Sequence, residues 1–343
     1  MVGGAVRDFL TKNKIKDYDL TTDATNKEIE AMMIKNNIST KETGTRFLVQ
    51  NVWLNNEWYE IATFREDSKG SDGRRPDSVS ISDINGDAKR RDLTINALYY
   101  DIKTKEIVDL VGGLDDLKNR VVRSVGDPNE RFEEDRIRIL RAIRFTARIG
   151  SNFDPAIDKA IKNNNSLDLL AAEAIREEFL KGIKSAKSTR QYLSLLDRYG
   201  LFKWVLNGIK SLNTNFIDSN DEILVLSILL KDTPYSEIAK QLNGLKYSAI
   251  EIRPIQFLLA FLQTFSPDNF YTLKKLHNKS NVNDDTFKNF GQELGIDPNI
   301  INRFINFRLS MTGDYVKSKF GMKDGPELGD KIKELENQLF ANN

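Results

Sequence analysis

The period of the hydrophobic pattern changes at Asp127-Pro128, and no single layer of secondary structure can satisfy both halves of the chain. Upstream, strand and helix signals alternate. Phe47–Leu54 and Trp58–Phe64 read as two strands paired across the polar turn Asn55-Asn56-Glu57, and Asp23–Ile34 reads as a helix capped by Thr22 or Thr25. Glu66 to Pro76, with Gly70, Gly73 and Pro76, reads as an exposed loop. Arg90–Asp101 carries apolar residues at helical spacing through Leu93, Ile95, Ala97 and Leu98. Downstream, strand signals fade. Arg131–Ile149, Ala172–Ile183, Thr189–Leu201, Glu222–Leu230 and Ile255–Thr264 follow the helical period, with breaks near Gly150–Pro155, Gly208–Asn220 and Pro267-Asp268. The pattern predicts an α+β chain, with a small mixed-sheet head over 1–126 and helices over 127–205 and 206–343. A length of 343 residues also exceeds one ordinary core.

Composition removes several kinds of chemistry. The chain has no cysteine and a single histidine, His277, which excludes thiolate zinc sites, cysteine nucleophiles and histidine triads. A metal must then be held by carboxylates, which favours a hard ion such as Mg2+. With 51 basic against 50 acidic side chains the net charge is +1, so nucleic acid would have to meet a local basic patch. The longest strongly apolar stretch, Ile223 to Leu230, is far too short to span a bilayer, and the N-terminus carries no cleavable apolar segment. The expectation is a soluble, cytoplasmic protein with no membrane partner and no obligatory protein partner.

Candidate site residues cluster near the start. Gly3-Gly4-Ala5-Val6-Arg7-Asp8 sets two glycines ahead of a helix, which lets backbone approach a phosphate, although two glycines alone also describe a simple turn. Asp17 and Asp19 are two apart, so on a strand both carboxylates face one space and a divalent cation would relieve their repulsion. Glu60, on the predicted strand Trp58–Phe64, could face that pair and complete a two-metal clamp. An exposed strand edge is the plainer alternative for each acid taken singly.

Residues 134–148 carry a second constellation. On a helix, Arg138, Arg141, Arg144 and Arg148 fall within an arc of about 120°, while Ile139, Leu140, Ile143 and Ala147 share another face. Asp135 lies one turn before Arg138, so an acceptor stands beside donors. That pairing matches the amino donor and ring-nitrogen acceptor of cytosine and adenine, and opposes the carbonyl and ring N–H of uracil and guanine. Arg141 and Arg144 could add base or phosphate contacts. For an arbitrary helix, a solvated face neutralised by Glu130, Glu133 and Glu134 is the commoner outcome.

Taken in order, Gly-Gly-Ala-Val-Arg-Asp, Asp17-Tyr18-Asp19-Leu20, Arg90-Arg91-Asp92-Leu93-Thr94-Ile95-Asn96-Ala97 and Glu134-Asp135-x-x-Arg138 resemble class II tRNA nucleotidyltransferases over about the first 150 residues. Bacterial poly(A) polymerases share much of this pattern. The resemblance implies a polymerase β-like nucleotidyltransferase head followed by an all-α neck, body and tail. It implies that Asp17 and Asp19 bind Mg2+, that Gly4 and Arg7 hold the triphosphate, that Arg91 adds a nucleotide contact and that Asn96 supports the site. It further implies that Asp135 and Arg138 select the base, and that the partners are the tRNA 3′ end with CTP and ATP as substrates. The resemblance also sets a switching loop at Arg65 to Pro76, ending in Arg74-Arg75-Pro76. Family members usually have a full first strand before the double glycine, whereas here only Met1-Val2 precede it. Glu42-Thr43-Gly44-Thr45-Arg46-Phe47 leans towards poly(A) polymerases, while Arg136 after Asp135 leans away from them. CCA addition is the expectation. Poly(A) synthesis, partial CC or A addition, and an inactive RNA-binding scaffold are the alternatives.

Overall fold

The computed structural model describes residues 1–42, 48–68, 78–206 and 218–342, which form two compact units, Met1–Leu201 and Phe202–Asn343. Expectations that concern 43–47, the loop at 69–77 with Arg74-Arg75-Pro76, and the break at 207–217 lie outside the described residues.

The first unit opens with α1 (Gly4–Leu10), β1 (Asp19–Thr22) and α2 (Asn26–Lys35). Thr25 caps α2 in a reciprocal box: its hydroxyl accepts from the Glu28 backbone N–H while the Glu28 carboxylate accepts from Thr25 N–H. With β2 (Thr40–Glu42), β3 (Val49–Leu54) and β4 (Glu57–Thr63), β1 forms a four-stranded sheet in the order β1-β4-β3-β2. The two asparagines at the β3–β4 turn both take positive φ, 52° and 63°, as a two-residue hairpin turn requires. Glu57 therefore belongs to β4 rather than to the turn. β4 runs parallel to β1, and the register sets Asp19 beside Glu60. Gln50, Val52 and Thr63 are buried on one face, towards α2, whereas Trp53, Trp58, Asp19 and Glu60 lie exposed on the other.

Two sequence expectations change here. Glu66 and Asp67 belong to β5 (Arg65–Asp67), paired with β6 (Val79–Ile81) and packed against α3 (Ile84–Lys89), so they are strand and not loop. The helical spacing of Arg90–Asp101 does not produce a helix. Leu93 is extended and bridges Ser124, Thr94–Asn96 form one 3-10 turn, and β7 (Leu98–Tyr100) pairs with β8 (Ile107–Asp109). Partners distant in sequence supply those pairings, and they outweigh the local period. Val2 acts as a one-residue strand: its N–H donates to Asp19 O at 2.9 Å and it bridges Tyr99, tying β1 to β7.

After α4 (Gly113–Asn119) and β9 (Val121–Val122), Asp127 caps α5 (Pro128–Glu134), with proline at its first position. The single helix expected over Arg131–Ile149 is two. Asp135 is extended at φ −152°, ψ 104°, and α6 runs from Ile137 to Ile149. β10 (Asn152–Phe153) pairs with β9, followed by α7 (Pro155–Asn163), α8 (Ala172–Ser185) and α9 (Thr189–Arg198). α6 packs against α8 and α9. Gly182 allows α8 to meet α9, because a Cβ there would stand 2.0 Å from the Tyr192 ring.

Among the described residues the second unit is built of helices: α10 (Phe202–Val205), α11 (Glu222–Leu229), α12 (Tyr235–Gly244), α13 (Ala249–Thr264), α14 (Phe270–Ser280), α15 (Asp284–Glu293), α16 (Pro298–Asn306), α17 (Gly313–Phe320) and α18 (Pro326–Asn342). α13 begins six residues before the predicted Ile255, because the Ser248–Glu251 capping box starts it and Pro254 is carried inside. Phe257, Phe261, Phe270, Phe287, Phe304 and Phe340 fill the core, with Phe270 stacked on Phe340 at 3.9 Å. Lys274, 1% exposed, donates to the Phe304 and Ile305 carbonyls at 2.6 and 2.9 Å and so caps α16. Among the described residues, no helix is long and apolar enough to cross a membrane.

His277 lies 4.8 Å from the Phe257 ring, packed among the phenylalanines of the core. Burial, reinforced by the Lys274 charge, lowers its pKa to about 4. The folded state therefore binds this proton less readily than the unfolded chain, and stability is lost as pH falls from about 6.5 to about 4. Urea midpoints measured at pH 7 and pH 4.5 should differ more for the wild type than for His277→Leu; equal differences would show that another group titrates.

Candidate active site

Asp17 lies two residues ahead of β1, and Asp19 is its first residue. Partial desolvation raises the Asp19 carboxyl although the residue stands on the open face, the nearby Arg91 guanidinium pulls it back, and the Asp17 charge pushes it up again; the net shift is upward. The two acids therefore sense each other, and Arg91 acts on the same point. Glu60 leaves the same sheet face as Asp19. Among the described residues no three acids or histidines are gathered closely enough to hold a metal, so Glu60 shares the face without closing a triad. Asp17 and Asp19 still suit a hard divalent cation: both donors are oxygen, and their repulsion is what a cation relieves.

The double glycine sits beneath two arginines. Gly3 has φ +67°, a conformation that favours glycine, and a Cβ there would stand 3.4 Å from Arg91 Nη1. A Cβ on Gly4 would stand 3.5 Å from Arg7 Nη2. Arg91 is held by Asp87 Oδ2 at 2.9 Å and lies over the Tyr99 ring. Asp87 is fully buried, pairs with Arg90 as well, and accepts from the Tyr99 hydroxyl at 2.7 Å. Burial works against the Asp87 charge, yet Arg91 and Arg90 outweigh it and hold the carboxyl below its ordinary value. Arg7 is only 3% exposed. It donates to Asn96 Oδ1 and to Asp8 Oδ1, and lies 4.8 Å from the Phe145 ring. Burial lowers its pKa to about 10, with the Arg148 charge adding to the effect and Asp8 opposing it.

On α6 the arginines do not form an open stack. Arg138 donates to Glu134 at 3.1 Å and to the Arg90 carbonyl at 3.3 Å. Arg141 pairs with Asp92 at 2.6 Å, Arg148 with Asp8 at 2.8 Å, and Arg144 with Glu178. Arg144 and Glu178 are both buried, because α6 is enclosed on almost every side rather than along one stripe. Asp135 sits in the break before α6, where its Oδ1 accepts from Ile137 N–H at 3.1 Å. Its charge, after those of Asp92 and Glu178, raises Arg141. Asp135 thus acts on Arg141 across the helix start, and the break puts it off the helical face that the i,i+3 spacing had assumed.

Sequence reasoning assigned no role to Asp8, Asp87, Asp92, Phe145 or Glu178. Asp8 and Asp92 stood inside quoted motifs, where an acid next to each arginine was the available signal. Asp87 was available only through its spacing to Arg90 and Arg91. Glu178 carried no signal, since its partner is 34 residues away on another helix.

Residues 1–123 match the poly(A) polymerase head domain family. A CCA-adding enzyme of Lactobacillus helveticus is 33% identical over 356 residues, covering 97% of this chain and 87% of that protein. The fold is similar to that of the Bacillus stearothermophilus CCA-adding enzyme in complex with CTP, with TM-score 0.78, 23% identity, and coverage of 99% of this chain and 88% of that one. It is also similar to the Thermotoga maritima CCA-adding enzyme complexed with tRNA-CCA, with TM-score 0.71, 20% identity, and coverage of 100% and 87%.

Asp92 gives this region a measurable signature. Burial opposes its charge, but Arg141, Asn96 and the Leu93 N–H overcome that and lower its pKa to about 2. A depressed carboxyl stabilises the fold above its ordinary pKa and loses that contribution as pH falls through the folded value. Asp92→Asn should therefore cost about 2 kcal/mol at pH 6, a gap that closes between about pH 4 and pH 2. Urea unfolding of both proteins across that range checks it, and a gap independent of pH would remove the charge from the explanation.

Proposed function

The chain belongs to the family of CCA-adding enzymes, and from that premise we propose which of its residues carry the reaction. It is a tRNA nucleotidyltransferase that completes the tRNA 3′ end with C, C and A from CTP and ATP. The 3′-hydroxyl oxygen attacks the α-phosphorus, the bond to the bridging oxygen of the β-phosphate breaks, and pyrophosphate leaves. Asp17 and Asp19, with Glu60 on the neighbouring strand, would hold Mg2+, which would supply Lewis-acid polarisation of the phosphate and ease loss of the hydroxyl proton. The observation that carries this assignment is the β1–β4 register, which sets Asp19 beside Glu60 on one open sheet face with Asp17 two residues ahead.

Arg91, braced by Asp87, faces the triphosphate and neutralises it. Gly3 and Gly4 let that triphosphate come close to backbone. Buried Arg7 contributes positive potential from behind Gly4, and Asn96 holds it there. Asp135 accepts from the exocyclic amino group of C or A, and Arg138 donates to the ring nitrogen after giving up the Arg90 carbonyl. Arg141 and Arg144, each anchored by a carboxylate, stiffen the helix that presents this pair. We assign 1–126 as the catalytic head, 127–205 as the neck that selects the nucleotide, and 206–343 as the body and tail that hold tRNA. These substrates call for a cytoplasmic location.

With a tRNA lacking its last three nucleotides, CTP and ATP should give addition of two C and one A, then a stop. Asp17→Asn should lower turnover by roughly a thousandfold while retaining tRNA affinity, because a metal ligand is lost and no binding surface is. Retained turnover would remove Asp17 from the catalytic set. Asp135→Ala should keep nucleotidyl transfer but reduce the kcat/KM preference for CTP over UTP by about tenfold to a hundredfold. An unchanged preference would return selection to other residues.

A further inference from the structure

Two tryptophans stand exposed beside the candidate acids, and the nucleotide reading gives them no task. Trp53 and Trp58 face each other across the β3–β4 hairpin, with ring centroids 5.1 Å apart and planes tilted by 57°. They are 38% and 51% exposed. The sheet register fixes which way they look. Lys41, Asn51, Glu60 and Asp19 are lateral neighbours on successive strands, so their side chains leave one face. Trp53 is two residues beyond Asn51 and Trp58 two before Glu60, so both project from that same face about 7 Å further along the strands. Asp17 lies two residues ahead of β1, at the end of the parallel pair from which Trp58 leads to Glu60.

An exposed aromatic pair on a hairpin contributes cross-strand packing wherever it occurs. Its placement here adds something else. The opposite face carries Tyr59 and buried Val52 towards α2, whereas the tryptophans sit on the open face next to the acids. An aromatic surface in that position offers a nucleobase a plane to stack on, and stacking tolerates any base. The incoming nucleotide is assigned to Arg91 and to the Asp135–Arg138 pair, which leaves the unpaired end of the primer as the base to be placed. Lys41, exposed on the same face, supplies a positive charge for its backbone.

We propose that Trp58, backed by Trp53, stacks the terminal base of the RNA primer and so positions its 3′-hydroxyl at Asp17 and Asp19. The inference rests on the assignment of those acids to the reaction. It can be tested with a tRNA that lacks CCA and ends in 2-aminopurine. Binding to wild-type protein should quench the 2-aminopurine emission severalfold; Trp58→Leu should abolish the quenching and Trp58→Tyr should retain it. In steady state, Trp58→Leu should raise the primer KM about tenfold and lower kcat severalfold, because the 3′-hydroxyl is no longer positioned, with the CTP KM within twofold of wild type. A purely structural pair would move the melting temperature and leave the primer KM in place. Absence of quenching in the wild type, which requires no variant to fold, overturns the proposal, as does an unchanged primer KM in folded Trp58→Leu. Asp17→Asn separates the two readings: it should be inactive and still quench. If that variant is active, the catalytic assignment fails, whereas lost stacking with an inactive Asp17→Asn counts against Trp58 alone.

Discussion

Three guanidiniums converge on the ring of Phe145, those of Arg7, Arg144 and Arg141 at 4.8, 4.2 and 5.6 Å, and each is tied to a different piece of the first unit. Arg7 comes from α1 and reaches Asn96 and Asp8; Arg141 reaches Asp92; Arg144 reaches Glu178 on α8. Arg148 closes the circuit on Asp8. Removing one member would leave its partner charged and poorly solvated, at a cost of about 2 to 5 kcal/mol. The arrangement therefore couples α1, the 3-10 turn, α6 and α8 through charge as well as apolar packing. The helix proposed to read the base cannot rotate against the glycines proposed to hold the phosphates without breaking this circuit.

Towards the substrates the same unit is built differently. Asp19, Glu60 and the tryptophans 53 and 58 stand on an open sheet face with Asp17 just ahead of it, and the Arg91 charge, held in the buried network, acts on Asp19. Arg91 can be stationed beside an acid because Asp87 and Tyr99 hold its other side. The buried lattice supplies rigidity, and the exposed acids remain available to an incoming ion and phosphate. The two requirements conflict at any single residue and are met by giving them to neighbours in sequence: Asp92 is tied to Arg141 in the lattice, while Arg91 next to it acts on Asp19.

Much of the fold could be read from residue order because its causes are local. The cap at Thr25 and the turn through Asn55 and Asn56 act within three or four residues, and the helix and the hairpin expected from them are present. The misreadings share one cause. Arg90–Asp101 has a helical period, but Ser124, Ile107–Asp109 and Val2 recruit it into bridges and strands. The break at Asp135 falls within Glu133-Glu134-Asp135-Arg136, four polar residues between Phe132 and Ile137 that the single-helix reading spanned.

From sequence alone came the division into a mixed head and a helical remainder, the pairing of Asp17 with Asp19, and the chemistry open to a chain without cysteine. These depend on spacing and residue type, which a linear text preserves. Only the tertiary structure decided which charges are neutralised and which face the open sheet. It buried Arg144 against Glu178, turned Arg7 inward, and set Trp58 beside the acids. Such choices depend on contacts between residues tens of positions apart, where burial sets the worth of a charge and strand register sets the direction of a side chain.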